Sequence, residues 1–145
     1  MFQLITSASF DSAHFLSGYS GKCSRLHGHH WVLEVVIQSE ALQAEGEKRG
    51  MILDFSDFKK AVRALADLYD HALIVEKETL QPKTMEAMLQ EGFLVIEIPC
   101  RPTAENLAKR FYHQLKEQGL PVCQVTVYET PENGAVYKED QPCSR

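Results

Sequence analysis

The sequence predicts an α+β domain, a four-stranded antiparallel sheet with two helices on one face. Two observations carry this prediction: strand patterns occur in runs near both ends of the chain, and amphipathic helix patterns lie between those runs. With 145 residues, 44% of them hydrophobic, the chain has the size and composition of one globular domain, residues 1–145.

The first two strands are predicted from side-chain alternation. Residues 2–15 alternate loosely between apolar and polar side chains, and a glycine-rich loop over 18–23 follows them. The pattern is stronger over 27–39, where every second residue belongs to one face of the strand. That face carries His27, His29, Trp31, Leu33, Val35 and Ile37.

Helices are predicted from apolar residues spaced three and four positions apart. This spacing indicates a helix over 56–69 and another over 101–119, for which Thr103 is a plausible N-cap. A short helix over 84–90 is a weaker prediction. Further strands are predicted at 93–98, 122–130 and 135–137.

Composition argues against several function classes. The net charge of −5 gives no broad basic surface for nucleic acid. No run approaches the ~20 apolar residues of a membrane helix, and the N-terminus lacks the pattern of a secretion signal. The four cysteines, Cys23, Cys100, Cys123 and Cys143, form no C-x-x-C pair. We therefore expect a reduced, cytoplasmic protein that contacts neither nucleic acid nor a membrane.

A metal site is the first candidate for chemistry. His27 and His29 lie on the same strand face, ~6–7 Å apart, and His14 ends the other early strand. Three histidines with an open fourth position are typical of a catalytic zinc site. The alternative is that H-x-H on a strand binds nothing, which is common. His30 belongs to the opposite face by parity and is expected at the surface.

Cys23 lies four residues before His27 and has three possible roles. It is a small buried hydrophobe, a fourth and structural zinc ligand, or a functional thiol activated by a nearby cation. The residues alone leave these alternatives open.

Two acidic residues are further candidates. Asp70 precedes His71 and can orient it for proton transfer, although a histidine at a helix C-terminus also favours the helix dipole. Glu129 shares a strand face with Cys123, Val125 and Val127, so its carboxylate needs a partner. That partner is either a salt bridge or a ligand with two adjacent N–H donors.

Six motifs, in order along most of the chain, resemble the 6-pyruvoyltetrahydropterin synthase / 6-carboxytetrahydropterin synthase family. They are "FDSAHFL" (10–16), "CSRLHGHHW" (23–31), "GMILDF" (50–55), "YDHALI" (69–74), "PTAENLA" (102–108) and "VTVYETPENGAVY" (125–137). This resemblance implies the tunnelling fold, in which subunits join their sheets into a barrel, as a hexamer or tetramer with sites at subunit boundaries.

The resemblance also implies a role for each candidate. Zinc is held by His14, His27 and His29; Cys23 is the catalytic thiol and general base; Asp70 and His71 complete proton transfer; Glu129 anchors the pterin; Thr103 and Glu105 line the pterin pocket. The implied substrate is 7,8-dihydroneopterin triphosphate, and the implied products are 6-carboxytetrahydropterin, acetaldehyde and triphosphate.

A spacing distinguishes the branches of the family. Three residues separate Cys23 from His27, and this C-x-x-x-H-G-H form resembles the bacterial carboxy-forming enzymes of queuosine biosynthesis. Pyruvoyl-forming enzymes typically have a longer gap, and a third, side-chain-cleaving branch places a glutamate there. The alternatives are one of those pterin enzymes or, in another class, a non-enzymatic zinc-binding module.

Overall fold

The computed structural model describes residues 1–139, which form a six-stranded sheet and three α-helices. Cys143 lies outside the described residues. In the described part of the chain, no helix has the length and apolar character needed to cross a membrane. The strands are β1 (Phe2–His14), β2 (His27–Ser39), β3 (Ala72–Glu76), β4 (Val95–Ile98), β5 (Val122–Thr130) and β6 (Asn133–Tyr137). The helices are α1 (Phe55–Tyr69), α2 (Pro82–Gln90) and α3 (Ala104–Glu117).

The sheet has the strand order β4-β3-β1-β2-β5-β6. β1 and β2 form a long antiparallel pair that runs from Phe2 opposite Ser39 to His14 opposite His27. β3 joins the other side of β1 in parallel, starting with Ser12 opposite Ala72, and β4 is parallel to β3. The predicted four antiparallel strands are present as β1, β2, β5 and β6, and the sheet has two further strands, β3 and β4, which pair in parallel. The short apolar run of β3 has no alternation to signal a strand, as is usual for parallel strands.

The core lies between one face of the sheet and helices α1 and α3, which confirms the predicted α+β arrangement. Phe10 of β1 packs edge-on against Phe111 of α3, with ring centroids 5.9 Å apart. It also stacks on Trp31 of β2, at 6.2 Å. No residue of α2 is buried, so this helix lies outside the core. The opposite side of the sheet, here called the helix-free face, exposes Asp11 and His30.

A β-bulge changes which residues of β5 reach the core. The register between β2 and β5 shifts between Val36 and Ile37, so Ile37 pairs with Val122. Val122 is buried in the core, whereas Cys123 is only partly buried and its thiol faces the carbonyl of Val36 at 3.4 Å. Cys123 therefore does not share the core-facing side of Val125, which alternation alone predicted.

Candidate active site

Three histidines converge where β1 ends and β2 begins. The antiparallel register places His14 directly opposite His27, and His29 follows two residues later on the same face. Their ring centroids lie 4.5 Å (His14–His27), 5.1 Å (His14–His29) and 5.0 Å (His27–His29) apart. The structure thus brings together the three predicted metal ligands, here called the histidine cluster. His30 lies on the helix-free face, where its Nδ1 is 2.8 Å from a carboxylate oxygen of Asp11.

Main-chain carbonyls determine which ring nitrogens of the cluster are free. Nδ1 of His14 is 2.8 Å from the carbonyl oxygen of Pro102, and Nδ1 of His27 is 2.6 Å from that of Arg25. A carbonyl only accepts, so each Nδ1 carries the hydrogen and each neutral ring presents a lone pair at Nε2. These two Nε2 atoms are 3.1 Å apart. Two lone pairs at that distance repel each other unless a cation lies between them.

His29 supplies a third unsatisfied nitrogen. Its Nε2 is buried, and the carboxylate oxygen of Glu129 that lies 3.0 Å away does not meet it in hydrogen-bond geometry. Burial lowers the pKa of His29 and also that of His14, from an ordinary value of 6.5. In His14 the carbonyl of Pro102 opposes this effect, and in His29 the carboxylate of Glu129 does so. Both rings are therefore neutral at pH 7, which is the form that binds a metal ion.

Glu129 of β5 also reaches the histidine cluster. One of its carboxylate oxygens lies 3.0 Å from Nε2 of His29 and 3.3 Å from Nε2 of His14. One ligand atom from each histidine and from Glu129 fit within 4.8 Å of one another, and Cys23 does not belong to this group. Three imidazoles and a carboxylate are a donor set that suits Zn²⁺. The residues present therefore fit a zinc ion.

A cavity of about 320 Å³ opens beside the histidine cluster. Cys23 reaches it from a short 3-10 turn, and the main-chain N–H of Leu16 donates to the carbonyl of Cys23 at 2.8 Å. We call this cavity the Cys23 cleft. It is lined by His14, Leu16, Tyr19, Cys23, Thr103, Ala104, Glu105, Glu129, Asn133, Gly134 and Ala135. The cleft thus unites Cys23 with all three predicted substrate-binding residues.

The start of α3 forms one wall of the Cys23 cleft. Thr103 is the N-cap of this helix, and its hydroxyl accepts from the main-chain N–H of Asn106 at 3.4 Å. Glu105 lies in the first turn, where a carboxylate interacts favourably with the positive end of the helix dipole. Ala104 from this helix and Gly134 from β6 also line the cleft.

Asp70 and His71 lie elsewhere, at the end of α1. Among the described residues that line the Cys23 cleft, neither is present. His71 instead lines a shallow groove of about 450 Å³, together with Asp11 and His30 of the helix-free face. The structure therefore separates the predicted proton-transfer pair from the other predicted catalytic group.

Hydrogen bonds nonetheless fix the two side chains of the Asp70–His71 pair relative to each other and to β1. Nδ1 of His71 is 2.8 Å from one carboxylate oxygen of Asp70, and the main-chain N–H of Asp11 donates to the other at 2.8 Å. The Asp11 N–H, and then the His71 ring, hold the pKa of Asp70 below its ordinary value of 3.8. An ionised Asp70 accepts from Nδ1–H of His71 and leaves Nε2 of the exposed ring to exchange protons with a ligand.

Several contacts that organise the site were missed by the sequence interpretation. The carbonyls of Pro102 and Arg25 select the tautomers of two histidines, and Asp11 holds Asp70 through its main chain. Main-chain groups occur in every residue, so no side-chain pattern distinguishes them.

The chain matches one protein family over nearly its whole length. The family model described as 6-pyruvoyl tetrahydropterin synthase matches residues 3–140. A 6-carboxy-5,6,7,8-tetrahydropterin synthase from Haemophilus influenzae is 35% identical over 142 residues, covering 96% of this chain and 100% of that protein. A protein of the same name from Aquifex aeolicus is 35% identical over 129 residues, 82% of this chain and 77% of its own length.

Solved structures show the same fold. A 6-pyruvoyl tetrahydropterin synthase from Caenorhabditis elegans superimposes with a TM-score of 0.68 at 25% identity, covering 96% of each chain. An uncharacterised protein from Wolinella succinogenes gives a TM-score of 0.77 at 19% identity, covering 96% of this chain and 98% of that one. These likenesses confirm the tunnelling fold that the sequence motifs imply.

Proposed function

Because the chain belongs to the 6-pyruvoyl tetrahydropterin synthase family, we propose that it is a zinc-dependent 6-carboxytetrahydropterin synthase of queuosine biosynthesis. It is a lyase, as the family and its named relatives indicate. Because the chain is a lyase, the alternative function of a non-enzymatic zinc-binding module is excluded. The proposed reaction converts 7,8-dihydroneopterin triphosphate into 6-carboxytetrahydropterin, acetaldehyde and triphosphate.

The observation that carries the zinc proposal is the convergence of unsatisfied ring nitrogens. Nε2 of His14 and Nε2 of His27 face each other at 3.1 Å, and Nε2 of His29 is buried, with a carboxylate oxygen of Glu129 3.0 Å away but not in hydrogen-bond geometry. We assign these three atoms as the zinc ligands. When bound, zinc supplies Lewis acidity, which makes a C–H next to a side-chain hydroxyl of the substrate more acidic.

Cys23 is the proposed base for that C–H. It lines the same cleft as His14 but stays outside the group of ligand atoms, so its sulfur is available to the substrate. A cysteine acts as a base in its thiolate form, and in that form Cys23 would take the proton from the C–H.

Glu129 is proposed to anchor the pterin ring. Its carboxylate has two acceptor oxygens, which suit the adjacent ring N–H and amino N–H of a pterin. A cleft of about 320 Å³ is of a size that holds a small bicyclic ring, with Thr103 and Glu105 on its wall. The same carboxylate is close enough to the histidine cluster to be a fourth zinc ligand. In that second role, Glu129→Gln would lower the zinc content of the protein.

The Asp70–His71 pair is proposed to act in the cleft of a neighbouring subunit. Within one chain the pair lies outside the Cys23 cleft, and the ring of His71 is 81% exposed. Edge strands β4 and β6 each have one unpaired side within residues 1–139, and pairing such edges between copies closes a ring. We therefore propose a homo-oligomer, a hexamer or tetramer, whose sites lie at subunit boundaries.

Product identification tests the reaction. The purified protein is incubated with 7,8-dihydroneopterin triphosphate, and mass spectrometry is expected to find 6-carboxytetrahydropterin together with acetaldehyde. A 6-pyruvoyl product would instead identify the pyruvoyl-forming activity. For the pathway, a host lacking its own carboxy-forming enzyme should regain queuosine in its tRNA when it expresses this chain. Unrestored queuosine would contradict that assignment.

A further inference from the structure

Tyr69 is the last residue of α1 and directly precedes the Asp70–His71 pair. Its ring is buried and packs against Phe111 of α3, with centroids 4.8 Å apart. Its hydroxyl lies 3.0 Å from the side-chain carbonyl oxygen of Gln114 and 2.8 Å from Nε of Arg110. The hydroxyl therefore donates to Gln114 and accepts from Arg110, so that α3 holds the Tyr69 side chain at its polar end.

The main chain next to Tyr69 is held from the other side, by β1. The buried hydroxyl of Ser12 donates to the carbonyl of Tyr69. The adjacent Asp11 receives the main-chain N–H of His71 at 2.6 Å and donates its own N–H to Asp70. Residues 69–71 are thus tied to one strand and one helix by hydrogen bonds that do not depend on a substrate.

These ties hold a conformation that is uncommon for residues other than glycine. His71 has φ of 56°, in the left-handed region. A non-glycine residue stays there only when its surroundings impose the conformation, and such residues are concentrated at functional sites. The His71 main chain is held in this conformation by its N–H bond to Asp11 and by the anchored Tyr69, and its ring is hydrogen-bonded to Asp70.

We propose that Tyr69 and Ser12 are positioning residues, which fix the orientation of the Asp70–His71 pair. The proposal rests on the proposed function for the pair's part in proton transfer, but the positioning itself is a property of this chain alone. Ser12 also lies two residues before His14 on β1, so one strand orients the pair and carries a ligand of the histidine cluster.

The test compares Tyr69→Phe with Tyr112→Phe. Both changes remove one hydroxyl from a buried tyrosine, but the hydroxyl of Tyr112 faces Glu139 at 3.4 Å and has no link to the pair. Two quantities are measured in the zinc-loaded protein: hydrogen exchange of the His71 amide, and kcat and KM separately. Exchange reports local opening and requires no substrate.

Tyr69→Phe removes the hydrogen bonds of its hydroxyl to Gln114 and Arg110. We expect the His71 amide to exchange at least about fivefold faster than in Tyr112→Phe, since the loss of one hydrogen bond already corresponds to that factor. We expect kcat to fall about tenfold or more through misplacement of His71, with little change in KM. Unchanged exchange of the His71 amide would overturn the proposal. If Tyr69→Phe does not fold, Ser12→Ala is measured in its place, against Thr6→Ala, which removes another buried hydroxyl of β1.

The two proposals fail in different ways. If the wild-type protein makes no pterin product, the proposed function is wrong, and faster exchange in Tyr69→Phe still establishes the positioning role. If the wild type is active and Tyr69→Phe retains both its exchange rate and its kcat, the positioning role is wrong and the proposed function stands.

Discussion

Nε2 of His14 and Nε2 of His27 lie 3.1 Å apart, and in the neutral tautomers set by their Nδ1 hydrogen bonds both atoms are acceptors. The carbonyl of Pro102 accepts a hydrogen bond from Nδ1–H of His14, and the carbonyl of Arg25 accepts one from Nδ1–H of His27. The arrangement is unfavourable for two neutral imidazoles alone and favourable around a cation. The protein fold therefore holds these nitrogens in an arrangement that suits a metal ion.

The amount of bound zinc should depend on the histidines of the cluster. We expect His27→Ala to lose the zinc that the wild type retains through gel filtration, whereas His30→Ala, on the helix-free face, keeps it. At free zinc one hundred times above Kd, binding should stabilise the fold by about 2.7 kcal/mol, so chelation should lower Tm. Elemental analysis and thermal unfolding give the two readouts. A wild type without zinc, fully active in chelator, would contradict the site.

Cys23→Ala should abolish most of the activity without disturbing the metal. General acid–base groups contribute about 10²- to 10⁴-fold, so we expect kcat to fall by that range. The zinc content should stay at the wild-type level because Cys23 is outside the ligand group. Cys123→Ala, which removes a partly buried thiol on β5, serves as the control and should keep its turnover. Wild-type turnover in Cys23→Ala would remove the thiol from the mechanism.

Glu129→Gln distinguishes the anchor from the ligand. If Glu129 anchors the pterin, losing its charge should raise KM by about tenfold or more, the worth of a hydrogen bond to a charged group. The zinc content should not change. Steady-state kinetics and elemental analysis are made on the same preparation, with the exposed Glu132→Gln as control. Loss of zinc in Glu129→Gln, with Glu132→Gln unaffected, would identify the carboxylate as the fourth ligand instead.

Mixed oligomers should reveal a site shared between subunits. Cys23→Ala and His71→Ala are each expected to be nearly inactive. When the two are co-expressed, about a quarter of the sites should combine an intact Cys23 with an intact His71 by random association. Activity should recover to about that fraction of wild type. If co-expression restores nothing while mixed oligomers are shown to form, both residues act within one subunit.

Asp70 should make the stability of the protein depend on pH at the acid end. Its pKa in the folded protein is below the ordinary 3.8, chiefly because of the Asp11 N–H and secondarily because of His71. A depressed pKa contributes stability that is complete above pH 3.8 and is lost as pH falls towards the folded value. Urea unfolding should therefore show wild type more stable than Asp70→Asn at pH 7. The difference should shrink below pH 3.8, and a constant difference would contradict this assignment.

Much of the site follows from local pattern. The alternation of β2 places His27 and His29 on one side and His30 on the other, because successive side chains of a strand point to opposite faces. The same alternation marks Trp31 as a core residue. Thr103 is recognisable as an N-cap from its position before a helical pattern. These properties depend on neighbours in sequence, so the sequence determines them.

Other features depend on contacts between distant segments. The strand β3 owes its place to pairing with β1, and its apolar run shows no period that would predict it. The bulge near Val36 exchanges Cys123 for Val122 in the core, and no single strand pattern shows a shift between two strands.

The location of the Asp70–His71 pair is decided in the same way. The motif around Asp70 is clear in the sequence, but the position of His71 depends on its main-chain hydrogen bond to Asp11 and on the pairing of β3 with β1. Likewise, the free nitrogens of the histidine cluster depend on carbonyls of Arg25 and Pro102. The sequence by itself determined which side chains this protein has for chemistry and on which face of β2 its three histidines lie. Only the tertiary structure decided which of them meet, because packing and main-chain hydrogen bonds join segments that no local pattern connects.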